Sequence, residues 1–171
     1  GGATAWDFSS LSFIGTGITT STGTGFVAVS NVLTIGISHT LNAGSKIWIL
    51  SGAIAAPFVR TGTFQYSTST MRFTGNSASV VVNALSGSGG SDGYYNLEIM
   101  PSGAVTYALA TGTYQVNNNL QIGDGVVAGI VSGTTNDPVV NVSGNLTINT
   151  SGTLIESDLV LNVRLSVGGN W

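Results

Sequence analysis

The chain has 171 residues, a formal net charge of −3 and no cysteine, and only 6% of it is charged against 42% hydrophobic. An average soluble domain is about 25% charged and disordered chains pair low hydrophobicity with high charge, so this composition excludes disorder and predicts a sizeable core. The four cations, Lys46, Arg60, Arg72 and Arg164, are scattered; this excludes phosphate neutralisation along a nucleic acid and disfavours anionic membrane surfaces, while the missing cysteines exclude a disulfide framework or a thiolate metal site.

The 25 glycines and abundant β-branched residues, with few Lys, Glu or Gln, argue against helices and for strands throughout. In chain order, Leu11-Ser12-Phe13 is the first strand motif. From Phe26 to Ile35, Val27, Val29, Leu33 and Ile35 share one parity and so one strand face, with Ser30 and Thr34 opposite. Leu33-Thr34-Ile35 repeats the first motif, and it returns as Leu97-Glu98-Ile99, Leu120-Gln121-Ile122, Leu146-Thr147-Ile148 and Leu165-Ser166-Val167. Apolar strands near Trp48, Phe64 and Val80 fill the long interval. Gly87 to Gly93, Asp124-Gly125 and Asn136-Asp137-Pro138 are turns.

Successive motif leucines are 22, 64, 23, 26 and 19 residues apart, and 64 is close to three periods of about 21. This spacing predicts an all-β fold, a parallel β-helix or β-solenoid with coils of about 19–26 residues. Roughly eight coils, about 4.8 Å apart, make a rod about 35–40 Å long. A tandem pair of β-sandwich domains is the alternative. A longer offset of 87 residues relates Leu33 to Leu120, and one of 86 relates Leu11 to Leu97. The expected organisation is one continuous block over 1–171, made of two diverged super-repeats, about 1–86 and 87–171. The Leu-x-Ile motifs are expected to stack inward, leaving Ser12, Thr34, Glu98, Gln121, Thr147 and Ser166 as one outward row.

Several segments together carry a family resemblance: Tyr94-Tyr95-Asn96-Leu97-Glu98-Ile99, Gly112-Thr113-Tyr114-Gln115-Val116-Asn117-Asn118-Asn119-Leu120, Ser143-Gly144-Asn145-Leu146-Thr147-Ile148 and Val167-Gly168-Gly169-Asn170-Trp171. With His39-Thr40-Leu41-Asn42-Ala43-Gly44-Ser45 and Pro57-Phe58-Val59-Arg60-Thr61-Gly62-Thr63-Phe64, they resemble the long, repetitive surface proteins of bacteria, similar to filamentous adhesins and autotransporter passengers. The resemblance implies a secreted or surface-anchored solenoid and carries over no catalytic residue.

The chemistry-bearing residues are few. His39 is the only histidine and lies in a turn without a neighbouring carboxylate, which suits a plain turn residue better than a triad. Glu156 and Asp158 would share a strand face, as a solvated patch or an acid/base pair of the glycan-cleaving kind. The single Gly87–Asp92 stretch is a weak match to calcium-binding glycine/aspartate repeats. Trp6, Trp48, Trp171, Tyr94, Tyr95, Tyr107 and Tyr114 either fill the core or stack on sugars. Thr16, Thr19, Thr20, Thr22 and Thr24 lack the regular ladder an ice-binding face needs. Asn141, Asn145 and Asn149 each head an Asn-x-Ser/Thr sequon and, four apart, would share one outward strand face as possible glycosylation sites.

The expected function is structural: a rigid repeat segment of an extracellular fibre, joined end to end to adjacent repeats or other copies. The alternative is an adhesin that binds glycans or surfaces through its lateral face or loops. No catalytic residue, cofactor, metal, nucleic-acid partner or membrane insertion is expected of this segment. No apolar run approaches the roughly 20 residues that span a bilayer, and no signal peptide is visible. The sequence starts at Gly1 without Met and stops at Trp171 in mid-pattern, and reads as an excerpt of a longer protein or a processed subunit.

Overall fold

Alternating side chains split each short strand into an inward apolar set and an outward polar one, and a coil buries its inward set only by stacking on another coil. The computed structural model shows that stacking; it describes residues 5–155 and 164–170. The first coil holds β1 (Trp6–Phe8), β2 (Leu11–Phe13) and β3 (Gly17–Thr20), and the second β4 (Phe26–Val29), β5 (Leu33–Ile35) and β6 (His39–Asn42). The third holds β7 (Ile47–Leu50), β8 (Phe58–Arg60) and β9 (Thr63–Gln65), and the fourth β10 (Thr70–Phe73) and β11 (Val81–Val82). The fifth holds β12 (Asn96–Ile99), β13 (Val105–Leu109) and β14 (Thr113–Val116), and the sixth β15 (Leu120–Ile122), β16 (Gly129–Ser132) and β17 (Val139–Val142). The seventh holds β18 (Leu146–Ile148), β19 (Gly152–Ile155) and β20 (Arg164–Val167).

One seven-stranded sheet, β1-β4-β7-β10-β12-β15-β18, runs through every coil. Beside it, β2-β5-β8 and β3-β6-β9 form the other two faces of the upper coils, and β11-β13-β16-β19 and β14-β17-β20 those of the lower coils. Every pairing between named strands is parallel, so the chain is a β-solenoid of about seven turns and the sandwich alternative is excluded. Along the long sheet the inward residues Trp6, Val27, Trp48, Met71, Leu97, Leu120 and Leu146 stack in register, at intervals of 21, 21, 23, 26, 23 and 26 residues. Seven rungs instead of the expected eight give a rise of about 29 Å at about 4.8 Å per rung.

The six Leu-x-Ile motifs do not form one row. Leu11 and Leu33 stack above Phe58 on the second face, Leu97, Leu120 and Leu146 on the first, and Leu165 beneath Val140 and Tyr114 on the third. The expected outward row divides in the same way: Ser12 and Thr34 precede Val59, Glu98, Gln121 and Thr147 follow Arg72, and Ser166 follows Gln115 and Asn141. The 87-residue offset therefore relates Leu33 and Leu120 on different sheets. The 19-residue interval from Leu146 to Leu165 joins two faces and is not a coil.

The Gly87–Gly93 turn lies in the fourth coil, where the third face passes from β9 to β14. Gln65 pairs antiparallel with Ser91 and Tyr94 pairs parallel with Val116. Asp92, at φ 55°, anchors the turn: its Oδ1 accepts the Arg60 guanidinium at 2.9 Å and the Phe64 N–H at 3.0 Å. The seven-stranded sheet passes this point unbroken through β10 and β12.

Candidate functional site

The aromatic candidates are mostly core. Trp48, Tyr94, Tyr107 and Tyr114 are buried, and Tyr95 packs partly buried against them. The buried phenols of Tyr107 and Tyr114 tie the fifth coil to the fourth, Tyr114 donating to Val82 O at 2.5 Å and Tyr107 to Gly75 O, while Tyr94 donates to Asn83 O at 2.8 Å within the fourth coil. Burial pushes all three phenols above the usual tyrosine range, with the neighbouring Tyr114 adding to the rise at Tyr94. Trp6 is 53% exposed, and Trp171 lies outside the described residues.

His39 is buried rather than turn-exposed, because it falls on an inward position of β6. Its ring stacks on Phe13 with centroids 5.9 Å apart, its Nε2 is 3.0 Å from Thr19 Oγ1, and its Nδ1 is buried without a partner. Glu156 and Asp158 lie outside the described residues. Among the described residues no three His, Asp or Glu side chains come together. Arg72 and Glu98 are neighbours in the outward row of the long sheet and form an ion pair.

The three sequons fall on three different elements, because the chain turns a corner between them. Asn141 is on the outer side of β17, between Gln115 and Ser166. Asn145 stands at the corner before β18, and Asn149 at the corner after it, where its Nδ2 donates to Gly123 O at 2.5 Å.

That first corner carries an asparagine ladder. Asn119 N–H donates to Asn96 Oδ1 at 3.3 Å, Asn145 N–H to Asn119 Oδ1 at 3.0 Å, and Asn170 N–H to Asn145 Oδ1 at 2.8 Å. The upper end continues through Asn96 Nδ2, which donates to Thr70 Oγ1 at 3.2 Å. Asn96, Asn119 and Asn145 each precede an inward strand residue, Leu97, Leu120 and Leu146. The sequence signal was present in Asn96-Leu97, Asn119-Leu120 and Gly144-Asn145-Leu146. Gly144 is needed because a Cβ there would meet Asn118 O at 2.5 Å and Asn119 Oδ1 at 2.8 Å.

A concave feature lies at the first coil. Inward Trp6, Phe8, Leu11 and Phe13 surround a cavity of about 240 Å³ that reaches past the second coil to Trp48 and Lys46 of the third. Lys46 is only 7% exposed, and its ammonium makes one hydrogen bond, to Thr24 O at 3.0 Å. The two ion pairs among the described residues use Arg60 and Arg72, not Lys46.

The chain matches no known family model, and neither the curated proteins nor the solved structures contain a similar one.

Proposed function

We propose that the chain is rod material of an extracellular fibre or stalk, in the manner of the repetitive bacterial surface proteins its sequence resembles. The observation that carries this reading is the unbroken parallel sheet from β1 to β18, whose hydrogen bonds all lie along the solenoid axis. A coil of about 22 residues with three sides spans roughly 24 Å per side at about 3.3 Å per residue. The rise of seven coils is therefore close to the width, and an elongated shape needs further coils, from the same polypeptide or from other copies joined end to end. Unpaired edges favour that continuation: among the described residues, β1, β2 and β3 each pair on one side only, as do β18, β19 and β20.

The adhesive alternative loses most of its aromatic platforms to the core; Trp6 and Phe26 are the exposed rings among the described residues. Electron microscopy of the purified protein tests the structural reading. Uniform fibres of solenoid width, several times longer than wide, are the expected result. Dispersed compact particles at every concentration would refute it, and glycan binding lost on Trp6→Ala would favour the adhesin.

A further inference from the structure

The outward side of the seven-stranded sheet changes character along the solenoid axis. In β4 and β7 every residue is apolar, Phe26-Val27-Ala28-Val29 and Ile47-Trp48-Ile49-Leu50. Val27, Val29, Trp48 and Leu50 are buried in the core, so Phe26, Ala28, Ile47 and Ile49 form an apolar patch on the outside, two residues wide and two coils tall. Below it the same two columns carry Thr70 and Arg72, then Asn96 and Glu98. Strands that are apolar on both sides belong to sheets covered on both faces, yet Phe26 is left 36% exposed. A charge stands at either end of the patch. Asp7 occupies the column of Ala28 and Ile49 one coil above it, and Arg72 the same column one coil below. Neither ion pair among the described residues uses Asp7. Arg72 meets Glu98 through Nε, and a guanidinium has further donors for a second carboxylate.

We propose that this patch pairs with the same patch of a second copy, the two solenoids lying side by side and antiparallel. A two-fold axis running along the strands, between β4 and β7, sets Phe26 of one copy on Ile47 of the other and Ala28 on Ile49. The same operation brings Asp7 of each copy opposite Arg72 of the other, because the two residues stand equally far from that axis. Parallel pairing would instead set Asp7 against Asp7 and Arg72 against Arg72, so charge selects the antiparallel arrangement. The paired stretch covers about 19 Å by 13 Å, or about 250 Å² of face, against roughly 800 Å² per partner in a standard interface. The dimer is therefore weak and reversible. It uses the side of the solenoid and not its ends, and so stands apart from the rod reading.

The test is sedimentation equilibrium of the intact 171-residue protein at concentrations up to about 1 mM, which reaches weak dimers. A monomer–dimer equilibrium is expected. Ile49→Thr, which keeps a β-branched side chain on the strand, should weaken it several-fold with an unchanged far-ultraviolet circular dichroism spectrum. Asp7→Arg and Arg72→Glu should each weaken self-association more than about tenfold. An equimolar mixture of these two variants should restore it, because each guanidinium then faces a carboxylate. If Arg72→Glu does not fold beside Glu98, Arg72→Gln replaces it, and its mixture with Asp7→Arg should associate more tightly than Asp7→Arg alone. A monomer at every concentration, or a mixture no tighter than Asp7→Arg alone, would overturn the proposal. Association indifferent to Ile49→Thr would also overturn it, and would assign the contact to the coil ends.

Discussion

Asn145 is bonded at one corner to the turn before it and the turn after it: its N–H donates to Asn119 Oδ1 at 3.0 Å while its Oδ1 accepts the Asn170 N–H at 2.8 Å. The side chain thus does at the corner what the backbone carbonyl does within a strand. Replacing Asn119 or Asn145 with Ala should lower stability by about 1 kcal/mol each, because the corner is exposed and water takes over part of the lost bond. Asp at position 119 keeps the acceptor and should cost clearly less than Ala. Urea denaturation checks this; equal losses for Ala and Asp would show that the ladder oxygen contributes nothing.

Backbone crowding at another corner gives a sharper contrast. A Cβ at Gly75 would lie 2.3 Å from Gly52 O, and one at Gly52 would lie 2.1 Å from Asn31 O. Neither neighbour is a side chain that can swing away. Gly75→Ala should therefore force two coils apart and cost about 3 kcal/mol, whereas Gly89→Ala, with nothing within 4 Å, should be near neutral. Thermal unfolding of the two variants side by side measures the difference.

Asp92 should matter beyond its single charge. It holds Arg60 and the Phe64 N–H from a left-handed backbone conformation, and Arg60 Nε is already buried without a partner. Asp92→Ala removes the acceptor from both donors and should cost about 2 kcal/mol, discounted for the partial exposure of the pair. Hydrogen exchange at the Phe64 amide should accelerate in this variant. Asp92→Asn retains an acceptor for that amide and should protect it better than Ala.

Stability should fall at alkaline pH. Burial raises the phenols of Tyr94, Tyr107 and Tyr114 in the folded protein, so above about pH 10 the unfolded chain ionises while the folded one does not. The unfolded state then binds fewer protons, and stability declines with rising pH, having been fully present below that range. The urea midpoint should drop from about pH 10 upward, with the buried phenols ionising only as the protein unfolds. Tyr107→Phe and Tyr114→Phe should each flatten this decline and cost about 1 kcal/mol at neutral pH through the lost bonds to Gly75 O and Val82 O.

The solenoid was legible because inward and outward positions alternate and Leu-x-Ile returns at near-coil intervals. Which face each copy occupies was not. Every face makes the same local demand, two inward residues around one outward, so Leu33-Thr34-Ile35 and Leu120-Gln121-Ile122 look alike and lie on different sheets. Asn141, Asn145 and Asn149 read as one strand face only while a strand persists, and the chain turns before Asn145. The ladder could have been found from asparagines preceding inward leucines at 96, 119 and 145. The cavity could not, because its walls come from three successive coils whose residues are brought together only by the stacking.

The continuous sheet also determines how such a chain would respond to tension. A coil takes up about 4.8 Å of the axis yet stores 21 to 26 residues, which span about 70–85 Å once drawn out. Because the described strands pair only with those of adjacent coils, a terminal coil pulled free lengthens the tether about fifteen-fold over its own height while the coil beneath remains folded. Loading would thus be absorbed in discrete steps of one turn, and relaxation would rewind the chain onto a ready template.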